Sequence, residues 1–169
     1  MDIKDFSVKA VKTFRSHDGG GFACNLYMKT KKVAEVVDDG WGGGLQFHWL
    51  DFKCPKVQIT KKDNEETFSY NGTPNEKILV ELINDLPPIE DYGMVMSQDL
   101  DTFVGDLVNN HLQEKEFKRK CKNKTLVITK DLRDGEYSVY SRPYSPEMKT
   151  WLEKSLGDNL VKIINEDYL

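Results

Sequence analysis

The residues best suited to chemistry form a glycine-rich run between two predicted strands, Asp38-Asp39-Gly40-Trp41-Gly42-Gly43-Gly44. Successive glycine amides can form a concave nest for an anion, and an indole can stack on a base or fill an apolar groove. A mobile connection would explain the same glycines, because the run opens no helix and lacks GxGxxG or GxxxxGK[ST] spacing. Both interpretations stay open. The first predicted ligand-binding residues are Gly40, Trp41, Gly42, Gly43 and Gly44.

A second glycine-rich turn, Ser16-His17-Asp18-Gly19-Gly20-Gly21, separates the first two predicted strands. If both glycine segments share one end of the sheet, they would make a two-lobed pocket. The neighbours His17 and Asp18 suggest catalysis, but adjacent turn residues do not orient one another as a base and a nucleophile must be oriented. A solvated turn is therefore the favoured interpretation.

Basic side chains are concentrated in residues 115–124, at the end of the clearest predicted helix. Lysine and arginine at that position compensate the helix dipole, and this is the favoured explanation. The alternative is contact with phosphate, and one basic patch on an acidic protein suits a nucleotide or short oligonucleotide better than long duplex DNA. Lys118, Arg119 and Lys120 complete the predicted ligand-binding set.

Metal and hydrolase chemistry have little support. The histidines are scattered, without HExxH, HxE or CxxC spacing, and no GxSxG marks a nucleophile elbow. No catalytic residue, metal ligand or cofactor is predicted. One enzymatic alternative stays open, in which Asp38 and Asp39 hold a divalent metal.

Cys24, Cys54 and Cys121 are predicted to be free thiols in a reducing compartment.

The segment Arg142-Pro143-Tyr144-Ser145-Pro146 is stiff and carries an aromatic side chain before the last predicted helix. Proline at the first helical position fixes the direction of the chain. The segment either lines a surface groove or only sets the angle of the helix.

The elements that would position these residues begin with a β-rich region, residues 2–60. Alternation of apolar and polar residues is typical of half-buried strands. It predicts an antiparallel meander of four or five strands, near residues 6–10, 22–26, 33–37, 45–50 and 57–59.

Helices follow the meander. A polar stretch, residues 61–72, leads to a helix that starts at Thr73-Pro74 and ends at Pro87-Pro88. After an irregular segment, residues 89–98, a second helix begins near Asp99. A third is predicted from Ser145 to Gly157.

The C-terminal part combines a ribbon with the third helix. Strands are predicted over residues 125–129 and 137–140, and a last strand over residues 160–164. Because strands come in one block and helices later, the class is α+β. We predict a single domain, residues 1–169, in which an antiparallel β-meander of four to five strands packs against two or three helices, with a C-terminal β-ribbon and helix.

Composition limits the function classes. The chain has 169 residues, 31% of them charged, and a net charge of −4, which provides no overall field toward nucleic acid or an anionic membrane. No apolar run approaches the roughly 20 residues that span a bilayer, and the first residues lack a secretory signal. We expect a cytoplasmic protein without membrane contact.

Two groups of motifs resemble an uncharacterised group of small proteins of tailed phages and prophages. The first is Gly21-Phe-Ala-Cys-Asn-Leu-Tyr27, Lys32-Val-Ala-Glu-Val-Val-Asp-Asp-Gly40 and the run from Gly42 to Gly44. The second extends from Asp134-Gly135-Glu136-Tyr137 through Tyr144-Ser-Pro146 to Leu156-Gly157-Asp158. The resemblance covers the two ends of the chain and carries over no activity or catalytic residue.

The resemblance implies a phage accessory protein that acts on host machinery. The first hypothesis is a non-enzymatic protein that counters host antiviral defence by binding a host protein or sequestering a phosphate-bearing signalling nucleotide. The alternatives are a metal-dependent enzyme acting on nucleic acid or nucleotides, and a structural or interaction module without a small ligand. A homo-oligomer is also open, because exposed aromatic residues such as Trp41 and Tyr144 would pair.

Overall fold

The computed structural model describes residues 1–15, 19–63, 66–91 and 93–168. These residues form three α-helices, α1 (Pro74–Asn84), α2 (Leu100–Lys120) and α3 (Pro146–Leu156). The strands are β1 (Phe6–Arg15), β2 (Gly20–Met28), β3 (Lys31–Asp38), β4 (Gln46–Trp49), β5 (Val57–Asp63), β6 (Glu66–Gly72), β7 (Ile89–Asp91), β8 (Met94–Met96), β9 (Thr125–Thr129), β10 (Ser138–Tyr140) and β11 (Leu160–Ile163). The predicted α+β class is confirmed.

The chain divides into two compact units, Met1–His111 and Leu112–Leu169. Helix α2 contributes its residues 100–111 to the first unit and its residues 112–120 to the second. A single domain over residues 1–169 stays a prediction. Among the described helices, none has the length and apolar composition that crossing a membrane requires.

The predicted meander is the main sheet of the first unit, with the strand order β1-β2-β3-β4 and antiparallel pairing throughout. One row across it joins Val8, Leu26, Ala34 and Trp49, all buried. Side chains on successive residues of a strand point to opposite faces. This sheet therefore has one buried apolar face, which explains the alternation in the sequence.

The opposite face of the sheet is polar near β4. Glu35 pairs with His48, and both are exposed. On either side of His48, the rings of Phe47 and Trp49 stack with centroids 5.7 Å apart. His48 therefore lies on the outward face of the sheet.

Strand β1 departs from simple alternation at a bulge. The pairing with β2 shifts between Lys9 and Lys12, and Ala10 takes a positive φ of 54°. A bulge places two residues opposite one and redirects the following side chains. In a regular strand Ala10 would share the face of Phe6 and Val8, but after the bulge it is exposed.

Two hairpins correct the sequence-based assignment. The segment 57–59 lies in β5, but β5 pairs only with β6 in a separate two-stranded sheet. The segment 61–72, predicted to be a polar connection, holds the rest of that hairpin. The segment 89–98, predicted to be irregular, contains the β7–β8 hairpin. Both hairpins are short and most of their described side chains are exposed, so burial leaves little periodicity in their sequences.

Helix α1 begins at Pro74 with Thr73 as its N-cap, as the sequence predicted. The Thr73 hydroxyl accepts a hydrogen bond from the Glu76 amide at 3.2 Å, and the Glu76 carboxylate accepts one from the Thr73 amide at 3.2 Å. Asp51 accepts the Asn75 amide at 2.8 Å. These acceptors satisfy amides that the first turn leaves without helical partners.

The second unit is built on a three-stranded sheet with the order β10-β9-β11. Val127 of β9 and Ile163 of β11 pack with Met148 and Leu152 of α3 in one buried cluster. The Ser145 hydroxyl caps α3 by accepting the Met148 amide at 3.2 Å. Gly157 ends the helix with a φ of 48°, a region that favours glycine. The predicted C-terminal ribbon and helix are confirmed.

Candidate binding loop and basic helix end

The glycine-rich run lies at one end of the meander, in the connection from β3 to β4. Phe22 pairs with Asp38, so the start of β2 adjoins the end of β3. A Cβ atom placed on Gly19 would lie 4.0 Å from the Gly40 carbonyl oxygen. Gly19 to Gly21 therefore share this end with the run, as the two-lobed arrangement requires. Ser16, His17 and Asp18 lie outside the described residues.

The aspartates that open the run bind its own backbone. Asp38 Oδ1 accepts the Gly40 amide at 2.8 Å, and Asp39 Oδ1 accepts the Trp41 amide at 3.0 Å. Asp39 Oδ2 also accepts a hydrogen bond from the side chain of Gln46 at 3.1 Å. Gly40 and Gly42 take positive φ values of 72° and 76°. The glycines thus allow a compact turn that the two carboxylates hold together.

A third carboxylate fixes the far end of the run. Asp101, in the first turn of α2, accepts the Leu45 amide at 3.0 Å through Oδ2. A Cβ atom on Gly44 would lie 2.7 Å from that same oxygen. Gly44 is therefore the residue that lets the backbone approach Asp101 closely. Because Leu45 and Asp101 are 56 residues apart in the sequence, no local sequence pattern indicates this contact.

The loop is a poor anion nest. The carboxylates of Asp38, Asp39 and Asp101 all accept hydrogen bonds from its amides. Carboxylates at such short range repel a phosphate, so the loop lacks the positive potential on which an anion nest depends. This weighs against the nucleotide version of the loop hypothesis.

The most exposed feature of the loop is its aromatic side chain. Trp41 keeps 64% of its surface exposed, and Phe14 at the same end of the sheet keeps 42%. Phe14 pairs with Gly21, which directly precedes Phe22 of the Phe22–Asp38 pair on β2. The loop therefore presents an exposed indole on a backbone that carboxylates bind.

The metal-enzyme alternative gains nothing from this geometry. Across the part of the chain that the structure describes, no group of three or more His, Cys, Asp or Glu side chains is placed to hold a metal. Asp38 and Asp39 already serve as acceptors for loop amides. A metal would have to compete with those hydrogen bonds. The metal-dependent-enzyme alternative is therefore supported only by the adjacent aspartates in the sequence, and not by their geometry.

Two of the three predicted basic residues pair along their own helix. Lys118 lies 2.5 Å from Glu114, and Lys120 lies 2.5 Å from Glu116. The hydrogen bond with Glu114 raises the pKa of Lys118, and the bond with Lys120 lowers the pKa of Glu116. The four-residue spacing in the sequence is the pattern that would have indicated these pairs.

Lys120 is held further by the aromatic ring of Tyr137. It donates to the Tyr137 hydroxyl at 2.7 Å, and its ammonium lies 5.0 Å from the ring centroid. Arg119 is exposed and forms no hydrogen bond or ion pair within the described residues. Of the three predicted cations, Arg119 alone makes no direct ion pair in the described part of the chain. Its charge nevertheless acts on Glu116, whose pKa is lowered first by the hydrogen bond from Lys120 and also by the charge of Arg119. Lys118 and Lys120 mainly stabilise α2.

Loop residues 40–44 lie in the first unit and the basic helix end lies in the second. Each is a separate surface feature of its own unit. The prediction that both hold one ligand stays a prediction.

The stiff segment before α3 borders two neighbouring clefts. One, of about 460 Å³, is lined by Tyr140, Ser141, Arg142, Met148 and Trp151. The other, of about 390 Å³, is lined by Arg142, Pro143, Ser145, Glu147, Met148 and Trp151. Sequence analysis indicated the Arg142–Pro146 side of a groove but missed Tyr140 and Trp151. Trp151 lies three residues after Met148 and next to Leu152, so the sequence pattern alone would place it on the apolar face of α3.

The three cysteines are free thiols, as predicted, but they differ in accessibility. We expect Cys54 alone to react rapidly with an aromatic disulfide reagent at neutral pH, because it is exposed. Burial raises the pKa of the Cys24 thiol to about 11, and burial followed by Asp167 raises that of Cys121. The thiolate is the reactive species. A fast reaction that persists in Cys54→Ser would contradict this assignment.

Comparison of the chain with protein-family models, curated proteins and solved structures gives no match.

Proposed function

We propose that this chain is a non-enzymatic binding protein that docks on a protein partner through the Trp41 end of its first sheet. In the phage context that the motifs imply, the partner is a host antiviral-defence protein, and docking counters it. The observation that carries the proposal is the exposed Trp41 indole on a loop held by three carboxylates. Tryptophan is enriched among the few residues that dominate binding energy at interfaces.

Preorganisation favours docking through this loop. Three amides, at the two ends of the loop, are bound to Asp38, Asp39 and Asp101, so its conformation is restricted before any partner arrives. Binding then loses less conformational entropy than it would with a disordered loop. A mobile connection, which is the alternative explanation of the same glycines, would lack these hydrogen bonds.

Charge indicates the chemistry of the partner surface. Residues 1–111 contain 12 basic and 18 acidic residues, a formal net charge of −6. A partner with an apolar pocket for the indole and a basic rim would complement both features. The same charge argues against sequestration of a phosphate-bearing nucleotide at this end of the sheet.

We expect Trp41→Ala to weaken the complex with the partner at least about tenfold, equivalent to about 1.4 kcal/mol. The partner is identified by affinity purification from infected-host extract and then tested as a purified protein by calorimetry. Since Trp41 is 64% exposed, the variant should keep the thermal midpoint of the parent protein. The affinity should fall as ionic strength rises, because screening weakens the acidic surface.

Trp151→Ala is the matched control, because it removes a half-exposed indole from the other unit. It should leave the affinity for the partner unchanged. A complex that survives Trp41→Ala but is lost with Trp151→Ala would overturn the proposal. So would self-association of the purified chain that Trp41→Ala abolishes, since the surface would then bind a second copy.

A further inference from the structure

A cleft in the second unit combines aromatic, cationic and hydroxyl groups. Its volume of about 460 Å³ lies within the roughly 300–1,000 Å³ usual for small-molecule sites. The rings of Tyr140 and Trp151 meet edge to face with centroids 5.7 Å apart. Met148 lies buried beneath them, and Ser141 and Arg142 complete the lining. The indole of Trp151 remains 50% exposed.

Hydrogen bonds hold the backbone around this cleft. The buried Thr125 hydroxyl donates to the Arg142 carbonyl at 2.9 Å, and Thr125 pairs with Tyr140 in the sheet. On the other side, the hydroxyl of Tyr144 donates to Glu166 at 2.7 Å. The backbone on which Arg142 is mounted is therefore held between β9 and the C-terminal segment.

The guanidinium of Arg142 is uncompensated. Within the described residues it forms no ion pair and no side-chain hydrogen bond. Glu147 borders the adjoining cleft, but its carboxylate is bound at the start of α3. A hydrogen bond from the Ser145 hydroxyl, and then one from its own amide, lower the pKa of Glu147. Arg142 is thus a cation beside an exposed aromatic ring.

The charge of the second unit has the opposite sign to that of the first. Residues 112–169 contain 12 basic and 10 acidic residues, a formal net charge of +2. The net charge of the first unit disfavours an anionic ligand, whereas the net charge of the second unit does not. The net charge of the whole chain, −4, does not reveal that the two units have net charges of opposite sign.

We infer that this cleft binds a nucleotide unit, with its base stacked on Trp151 and its phosphate paired with Arg142. Aromatic side chains stack on bases without regard to sequence, and the arginine fork matches phosphate oxygens in two parallel hydrogen bonds. A cationic ligand would be repelled by Arg142. A purely aliphatic one would desolvate the guanidinium without pairing it. The site is independent of the Trp41 surface.

The test follows the three indole N–H resonances of the isotope-labelled protein by NMR, assigned with Trp→Phe variants. The probes are adenosine, adenosine monophosphate and a short single-stranded oligonucleotide, added up to millimolar concentrations at low salt. We expect the Trp151 resonance to shift with the two phosphate-bearing probes, and those of Trp41 and Trp49 to stay. Saturation by adenosine monophosphate identifies a free nucleotide as the ligand, whereas saturation only by the oligonucleotide identifies a single strand.

Variants complete the test. Trp151→Ala should weaken binding roughly 5- to 30-fold, in the range of one base stacked on an aromatic side chain. Arg142→Gln should weaken binding of the phosphate probes but not of adenosine, and should lower the salt slope by about 0.7 for a single strand. Arg133→Gln, an exposed arginine in the same unit, removes the same charge and should change neither. Equal effects of the two arginine variants, or no shift of Trp151, would overturn the inference.

Discussion

Replacing Asn165 by alanine is expected to lower the free energy of unfolding of the second unit by roughly 3–5 kcal/mol. Asn165 is fully buried, with 0% of its surface exposed. Its Oδ1 accepts the Leu126 amide at 2.8 Å, and its Nδ2 donates to the carbonyls of Lys124 at 2.7 Å and Cys121 at 3.4 Å. One side chain thereby joins the end of α2, the start of β9 and the C-terminal segment.

The magnitude follows from what alanine would leave behind. Each buried polar group without a partner costs about 1–3 kcal/mol, and the truncation removes partners from the Leu126 amide and the Lys124 carbonyl. The lost amide also leaves a cavity in a packed region. Water does not readily repair the loss, because Leu126 is fully buried.

Asn159→Ala is the matched control for this substitution. Asn159 is exposed and donates one hydrogen bond, to Asp131 at 2.8 Å. Its removal should cost less than about 1 kcal/mol. Denaturant unfolding of both variants, followed by circular dichroism and by tryptophan fluorescence, measures the difference. Equal losses of stability in the two variants would show that the buried hydrogen bonds of Asn165 contribute no more to stability than one exposed hydrogen bond.

The sequence predicted the helices because their ends carry explicit local chemistry. Thr73 and Ser145 cap α1 and α3 in the structure, and Gly157 takes the positive φ expected at the end of α3. The caps act within four residues, so no tertiary information is needed to find them. Asp99 likewise accepts the Thr102 amide at 2.9 Å, where the second helix was expected to begin.

Interactions between distant residues could not be predicted in this way. Asn165 is a polar residue near the last described position, and only the fold places it in the core. Asp101 is an ordinary first-turn acid of α2 until the fold brings it to Leu45. The glycine run and the two aspartates that open it were recognisable in the sequence, but their hydrogen bonds to the loop amides and the contribution of Asp101 were not.

Gly21→Ala is expected to destabilise the first unit by about 3 kcal/mol, the upper end of the usual range for overpacking. A Cβ atom on Gly21 would lie 2.5 Å from the Asp38 carbonyl oxygen and 2.5 Å from Cε2 of Phe14. The ring can rotate away, but the carbonyl belongs to the backbone of β3. Relief therefore requires the strands to separate where Phe22 pairs with Asp38.

Gly43→Ala is the control from the same end of the sheet, because nothing lies within 4 Å of a Cβ placed on Gly43. Since Gly43 has no positive φ, alanine should leave stability unchanged or raise it by about 0.4–1 kcal/mol by restricting the unfolded chain. Thermal unfolding of both variants measures the contrast. A Gly21→Ala protein that stays stable and still binds the partner would contradict this prediction. It would mean that the close approach of Gly21 to the Asp38 carbonyl is not needed to position Trp41 for binding. A destabilised one that loses the partner, beside an unaffected Gly43→Ala, would show that the β2–β3 contact positions the loop.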